Sequence, residues 1–128
     1  MILIADDDVD FAETCSMMLE SHGYEAAVVS NGLEALAKIQ EQQPELLISD
    51  CSMPHMTGLQ LSEEVRTRPA GHQFPVLLMS GSLRGKVAPG TSYDGFLRKP
   101  FLAEDLMGEV RKLLANCTSA VSSEKGNS

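Results

Sequence analysis

Five short apolar runs recur along the chain, and stretches with the periodicity of amphipathic helices separate most of them. Short apolar strands that alternate with helices are typical of parallel sheets joined by crossover connections. The pattern therefore predicts an α/β fold with a five-stranded parallel sheet. The predicted strands are residues 2–5, 26–29, 46–49, 76–79 and 96–98.

Capping and stop residues delimit the predicted helices. Gly23 is predicted to end a first helix over residues 9–22, on which Phe11 belongs to the apolar stripe. Thr57 and Gln60 have the spacing of a capping box, which predicts the start of another helix. The last helix is predicted to place four apolar residues on one face: Leu102, Leu106, Val110 and Leu113.

Two segments lack regular patterns. Gly85, Pro89 and Gly90 interrupt residues 82–94, so the fourth helix, between strands four and five, is expected to be short or irregular. Residues 116–128 are rich in Ser, Gly, Asn, Glu and Lys without apolar periodicity, which predicts a disordered tail. The remaining residues, 1–115, have the size of a single domain.

Composition and charge narrow the classes of function. Hydrophobic residues make up 43% of the chain and charged residues 22%, as in folded globular domains. The net charge of −8 argues against direct nucleic-acid binding, because phosphate recognition needs a basic face. No apolar run approaches the roughly 20 residues that span a bilayer, and no signal peptide is recognisable. We therefore predict a cytoplasmic protein without membrane contact, in which the three cysteines are reduced.

Polar residues follow the predicted strands. Asp6 and Asp7 follow the first strand, Asp50 the third, Ser80 the fourth and Lys99 the fifth. A single Asp at such a position is usually a turn or helix-capping residue. However, the carboxyl ends of parallel strands meet at one edge, where ligands bind. The coincidence of all five residues therefore favours a common site.

These residue types suit a phosphoryl group and a hard cation. Converging carboxylates repel one another unless a cation is present, and Mg²⁺ binds one or two carboxylates together with phosphate oxygens. Lys99 and Ser80 could neutralise and hydrogen-bond the phosphoryl oxygens, while one carboxylate attacks phosphorus. The product would be an acyl phosphate.

Four motifs resemble the receiver domain of two-component response regulators: ILIADDD, LLISDCSMPHMTG, VLLMSG and FLRKPF. The resemblance covers about residues 1–115. It implies the flavodoxin-like receiver fold, a doubly wound five-stranded parallel sheet of order 2-1-3-4-5.

Residue roles follow from the resemblance, position by position. It implies that Asp50 is the phosphoacceptor and Lys99 the ion-pair partner of the phosphoryl group. Ser80 would be the switch hydroxyl and Phe96 the aromatic switch residue. Mg²⁺, or alternatively Mn²⁺, would be held by Asp6, Asp7, Asp50 and the backbone carbonyl of Ser52.

The resemblance also implies a signalling switch rather than a conventional enzyme. A histidine kinase or histidine phosphotransfer protein would supply the phosphoryl group, and the domain would catalyse its own phosphorylation and dephosphorylation. The output would be contact with a downstream protein whose identity the sequence does not give. The chain could act alone or as the receiver of a hybrid kinase.

Ser52 and Ser82 are small and polar, so we expect water to reach the acyl phosphate and its lifetime to be unexceptional.

Two alternatives stay open at this point. A small phosphatase of the haloacid-dehalogenase type would use Asp6 as the nucleophile and Asp8 as the acid. It would leave LLISDCSMP unexplained and would lack room for the customary cap. A receiver-like interaction module that is never phosphorylated is the other alternative. It predicts missing site residues, and the sequence lacks none of them.

Overall fold

A computed structural model describes residues 1–51, 53, 56–67, 74–81, 93–99 and 101–125. Its strands form one parallel sheet of order β2-β1-β3-β4-β5, which confirms the predicted doubly wound fold. The elements in chain order are β1 (Ile2–Ala5), α1 (Val9–Ser21), β2 (Ala26–Val29), α2 (Gly32–Glu41), β3 (Leu46–Asp50), α3 (Gly58–Thr67), β4 (Val76–Ser80), β5 (Gly95–Arg98) and α4 (Ala103–Lys125).

The central strands are buried on both faces of the sheet. In β1, Ile2 and Ile4 pack with α1 and α4, whereas Leu3 packs on the other face with α2 and α3. All three side chains have no exposed surface. Successive side chains of a strand point to opposite faces, so a strand covered by helices on both sides must be apolar throughout. Burial of each large side chain contributes about 1.5–3 kcal/mol.

The end of α1 and the start of α3 carry the stop and capping residues that the sequence predicts. After α1, Gly23 has a φ of 93° and its N–H donates to the carbonyl of Glu20. Ahead of α3, the N–H of Thr57 donates to Gln60 Oε1 at 2.9 Å, and the N–H of Gln60 donates to Thr57 Oγ1 at 3.1 Å. This reciprocal pair is the predicted capping box.

The last helix differs from the prediction at both ends. Leu102 directly precedes α4, and its carbonyl accepts hydrogen bonds from the N–H groups of Asp105 and Leu106. Its side chain is 63% exposed and does not join the buried face of the helix. At the other end, α4 continues to Lys125, where the sequence predicted a disordered tail. Since neither Pro nor Gly lies between Gly108 and Gly126, no stop signal interrupts the helix. The domain boundary at residue 115 stays a prediction.

Residues 82–92 lie outside the described residues, and the predicted short or irregular fourth helix lies mainly within them. The label α4 is therefore used for the last helix. Within the described part of the chain, no helix combines the length and apolar character needed to cross a membrane.

Candidate functional site

The sheet brings the predicted site residues to its carboxyl edge. Asp6 directly follows β1, Asp50 and Ser80 end β3 and β4, and Lys99 directly follows β5. The exposed fractions are 0% for Asp6, 6% for Asp50 and 4% for Ser80, whereas Asp7 is exposed. The site therefore contains two buried carboxylates and one carboxylate open to solvent.

Lys99 lies between the two buried carboxylates. Its Nζ is 3.0 Å from Asp6 Oδ2 and 2.9 Å from Asp50 Oδ1. Burial is the largest single influence on the pKa of Lys99 and by itself lowers it, but hydrogen bonds to Asp50 and Asp6 and their charges outweigh burial and raise the pKa. The ammonium therefore stays charged and bridges the ends of β1 and β3.

Three carboxylates form a cluster that fits a hard cation. Asp6, Asp7 and Asp50 each offer an oxygen, and these oxygens lie within 4.8 Å of one another. Oxygen ligands at this spacing suit Mg²⁺, which commonly keeps several of its waters. The cluster contains three carboxylates, and Lys99 contacts only Asp6 and Asp50, so it has excess negative charge that a divalent cation would offset.

The turn after β1 fixes Asp6 through the backbone. The N–H of Asp8 donates to Asp6 Oδ1 at 2.9 Å. Asp8 is itself the N-cap of α1, and its Oδ1 accepts from the N–H of Phe11 at 3.2 Å. One oxygen of Asp6 is thus held by the turn while the other contacts Lys99. The carboxylate of Asp8, the acid in the phosphatase alternative, caps a helix instead.

Gly58 allows α3 to approach the backbone of Asp50. A Cβ at this position would lie 2.2 Å from the carbonyl oxygen of Asp50, which is closer than real atoms approach. The N–H of Gly58 donates to the carbonyl of Cys51 at 2.9 Å. Residue 58 must therefore lack a side chain if Asp50 is to keep its place. Gly58 follows the motif residue Thr57 in LLISDCSMPHMTG, but nothing in the sequence pattern alone predicts this role.

Phe11 is a second residue whose place in the site the sequence analysis missed. Its ring centroid is 4.4 Å from Lys99 Nζ and 5.6 Å from the ring centroid of Phe101, with an interplanar angle of 74°. The periodicity of α1 predicted only that Phe11 belongs to an apolar stripe. Nothing in the local sequence indicates that its ring faces a cation from the other end of the chain.

Two cysteines, Cys15 and Cys51, lie near the site. Burial and the charge of Asp6 raise the pKa of Cys15 to about 11, and burial and the charge of Asp50 raise that of Cys51 to about 11. Thiolates, not thiols, are the reactive forms, so burial and the neighbouring carboxylates disfavour a nucleophilic role for both side chains.

The remaining predicted residues are placed only in part. Phe96 is half-buried and packs against the apolar cluster on the α2 and α3 face of the sheet. Ser52, the predicted source of a metal-binding carbonyl, and Ser82 lie outside the described residues. Their roles stay predictions.

Comparison with known proteins decides the family. The family model for the response regulator receiver domain matches residues 2–111. The chain belongs to this family. Receiver domains of response regulators are signalling switches of two-component systems, so the haloacid-dehalogenase alternative is set aside.

Relatives with known sequences share this region. Response regulator MprA of Mycobacterium avium is 33% identical over 116 residues, which cover 88% of this chain and 50% of that protein. The chain therefore spans about half the length of this curated relative. An uncharacterized 14.6 kDa protein of Leptolyngbya boryana is 34% identical over 102 residues, which cover 77% of this chain and 78% of that one.

Solved structures share the fold. A CheY-like response regulator receiver domain protein of Methanospirillum hungatei superposes with a TM-score of 0.83 and 28% identity, over 93% of this chain and 96% of that chain. The signal receiver domain of a signal transduction histidine kinase from Syntrophus aciditrophicus superposes with a TM-score of 0.81 and 32% identity, over 90% and 89% of the two chains.

Proposed function

We propose that Asp50 accepts a phosphoryl group from a phosphohistidine of a histidine kinase or histidine phosphotransfer protein. The observation that carries this proposal is the position of the Asp50 carboxylate. It belongs to the three-carboxylate cluster and at the same time contacts the Lys99 ammonium at 2.9 Å. A nucleophile beside both a cation site and an ammonium suits attack on a negatively charged phosphoryl group.

In the proposed transfer, a carboxylate oxygen of Asp50 forms a bond to phosphorus while the bond from phosphorus to the imidazole nitrogen breaks. The departing imidazole keeps the bonding electron pair and takes up a proton from solvent. The product is an acyl phosphate on Asp50, and attack by water on phosphorus later regenerates the carboxylate and releases inorganic phosphate. Lys99 neutralises charge on the phosphoryl oxygens in both steps.

Mg²⁺ is the proposed cofactor, with Mn²⁺ as an alternative. Asp6, Asp7 and Asp50 would hold it, and the backbone carbonyl of Ser52 is a further proposed ligand. When bound, the cation supplies positive charge that stabilises the phosphoryl oxygens in the transition state. The fit of the carboxylate oxygens to a hard cation supports this assignment.

Ser80 and Phe96 are the proposed switch residues. Ser80 ends the strand next to that of Asp50, and Phe96 is half-buried in the neighbouring strand β5. We infer that the phosphoryl group attracts the Ser80 hydroxyl and that Phe96 repacks as it moves. A useful shift between two surface arrangements requires a bias of a few kcal/mol.

The partner proteins belong to the proposal as well. The downstream target would be a protein that recognises the switched surface. The domain would act alone or as the receiver of a longer regulator or hybrid kinase, and the cytoplasmic location stays a prediction.

Intact mass tests the proposal. The protein is incubated with Mg²⁺ and acetyl phosphate, beside Asp50→Asn, Asp6→Asn and a chelator control. We expect one added phosphoryl mass in the wild type and none with Asp50→Asn or the chelator. No gain by a folded wild type would favour the interaction module that is never phosphorylated. A gain that survives Asp50→Asn would contradict the assignment of Asp50 as the nucleophile, and its loss in Asp6→Asn would point to Asp6 instead.

A further inference from the structure

The Lys99 ammonium has three close neighbours of two different kinds. Two are the carboxylates of Asp6 and Asp50, at 3.0 and 2.9 Å, and the third is the face of the Phe11 ring, with its centroid at 4.4 Å. A cation within about 6 Å of an aromatic centroid is attracted by the negative face of the ring. Lys99 is therefore held by two charged groups and one neutral one.

A divalent cation would compete with Lys99 for only some of these neighbours. Asp6 and Asp50 belong to the carboxylate cluster that fits a cation, so the positive charge of a bound metal would offset their attraction for the ammonium. A phenyl ring is not a ligand for a hard cation. Phe11 is thus the neighbour whose attraction for Lys99 persists when the metal is bound.

The ring is well placed to hold its position. Phe11 lies in the first turn of α1, three residues after Asp8. The N–H of Asp8 donates a hydrogen bond to the Asp6 carboxylate. Phe101 contacts the Phe11 ring in an edge arrangement at 5.6 Å and 74°. The Lys99 side chain is 19% exposed, so the contact with the ring is shielded from most water. Shielding strengthens the attraction between a cation and an aromatic ring.

We propose that Phe11 is a positioning residue that keeps the Lys99 ammonium beside Asp50 when a metal ion occupies the carboxylate cluster. The inference rests on the proposed Mg²⁺ and phosphoacceptor functions, and adds a residue to which neither assigns a role. Phe11 touches neither the phosphoryl group nor the metal in this account. It acts through Lys99.

Nuclear magnetic resonance of protein labelled at lysine tests the position of Lys99 directly. Protons above an aromatic face resonate upfield, and the Lys99 signals are assigned by their loss in Lys99→Met. We expect the Lys99 ε-methylene signals to lie upfield of those of other lysines, and to stay there at saturating Mg²⁺. In Phe11→Leu the upfield shift should vanish, and in Phe11→Trp it should persist. A return of the wild-type signals to the ordinary lysine position on adding Mg²⁺ would overturn the inference.

Phosphorylation by acetyl phosphate tests the consequence for rate. At saturating Mg²⁺, Phe11→Leu should lower the rate constant about fivefold to tenfold, the range expected for a shielded cation–aromatic contact, and Phe11→Trp should restore it. In a Lys99→Met background, Phe11→Leu should change nothing further. An equal loss in both backgrounds would show that Phe11 acts through packing alone.

Met18→Ala is the packing control, because Met18 is also half-buried on α1 and packs against the same apolar cluster as Phe11. In Met18→Ala, the Lys99 ε-methylene signals should stay upfield at saturating Mg²⁺. Urea unfolding confirms that each variant is folded. If the wild type gains no phosphoryl mass, the proposed function fails, whereas the resonance comparison still decides where Lys99 lies.

Discussion

At the carboxyl edge of the sheet, three carboxylates cluster and two of them share one ammonium, whereas at the amino edge Arg66 and Asp94 form a one-to-one ion pair. The two pairs also differ in burial. The side chains of Asp6 and Asp50 are 1% and 9% exposed, while those of Arg66 and Asp94 are 30% and 37% exposed. At the amino edge the charges are thus paired one to one and partly hydrated, whereas at the carboxyl edge carboxylates outnumber the ammonium and two of them are buried.

The difference separates a structural use of charge from a functional one. At the amino edge, Asp94 also accepts the N–H of Val76 at 2.8 Å and so ties the starts of β4 and β5 together. At the carboxyl edge, buried like charges oppose folding unless a cation offsets them. An arrangement that costs stability in the absence of a ligand is expected where ligand binding is the purpose.

Lys99→Met should have the largest effect on the carboxyl edge. It leaves Asp6 and Asp50 without their shared ammonium, so we expect the phosphorylation rate constant to fall about a hundredfold or more. Without Mg²⁺, the free energy of unfolding should fall by about 3 kcal/mol. Intact mass and urea unfolding measure the two effects. Lys112→Met is the control, because Lys112 forms an exposed pair with Glu109 on α4. A wild-type rate in Lys99→Met would contradict the assigned role of Lys99.

Mg²⁺ should stabilise the folded protein by relieving the imbalance at the carboxyl edge. At a hundredfold excess over its Kd, we expect the free energy of unfolding to rise by about 2.7 kcal/mol. Asp7→Asn should lose most of this gain, whereas Asp10→Asn, at an exposed position in the first turn of α1, should keep it. Urea unfolding with and without Mg²⁺ gives the comparison. Equal stabilisation of both variants would argue against the carboxylate cluster as the site.

Gly58→Ala should disturb the carboxyl edge through the backbone. Its Cβ would clash with the carbonyl oxygen of Asp50, and we expect a loss of about 2 kcal/mol in the free energy of unfolding, together with slower phosphorylation. Gly108→Ala in α4 is the matched control. A Cβ there meets nothing within 4 Å, so this variant should be stabilised by about 0.5–1 kcal/mol. If both variants have the same free energy of unfolding, the close approach of α3 to Asp50 is not the reason that residue 58 must be glycine.

Arg66→Gln should have the smallest effect, since it removes a partly exposed ion pair at the amino edge. We expect the free energy of unfolding to fall by about 1 kcal/mol or less, because Asp94 keeps its bond to the N–H of Val76. The phosphorylation rate should not change. A loss of rate comparable to that of Lys99→Met would erase the distinction between the two edges.

The sequence predicted the strands and the edge at which their polar residues meet, because both depend on local pattern. Buried strands are apolar, and Asp6, Asp50 and Lys99 each stand where a strand ends. The parallel topology then brings these residues together whatever the details of packing. The sequence therefore predicted the fold and which residues meet at the site. It also predicted the end of α1 at Gly23 and the start of α3 at the capping box.

The sequence could not predict contacts that depend on how helices pack on the sheet. Phe11 shares its helical stripe with core residues, and only the packing of α1 against the segment after β5 places its ring over Lys99. Likewise, apolar periodicity assigned Leu102 to the buried face, although the helix starts one residue later. Nor does the run of aspartates reveal that Asp6 is buried and Asp7 exposed, since that depends on the turn after β1.

The most direct test of the central claim is to locate the phosphoryl group after phosphorylation with acetyl phosphate and Mg²⁺. Borohydride reduces an aspartyl phosphate to homoserine, which marks the modified position in a peptide digest analysed by mass spectrometry. We expect homoserine at residue 50 alone, and none when Mg²⁺ is chelated. Homoserine at residue 6, or phosphorylation that leaves residue 50 as aspartate, would contradict this claim.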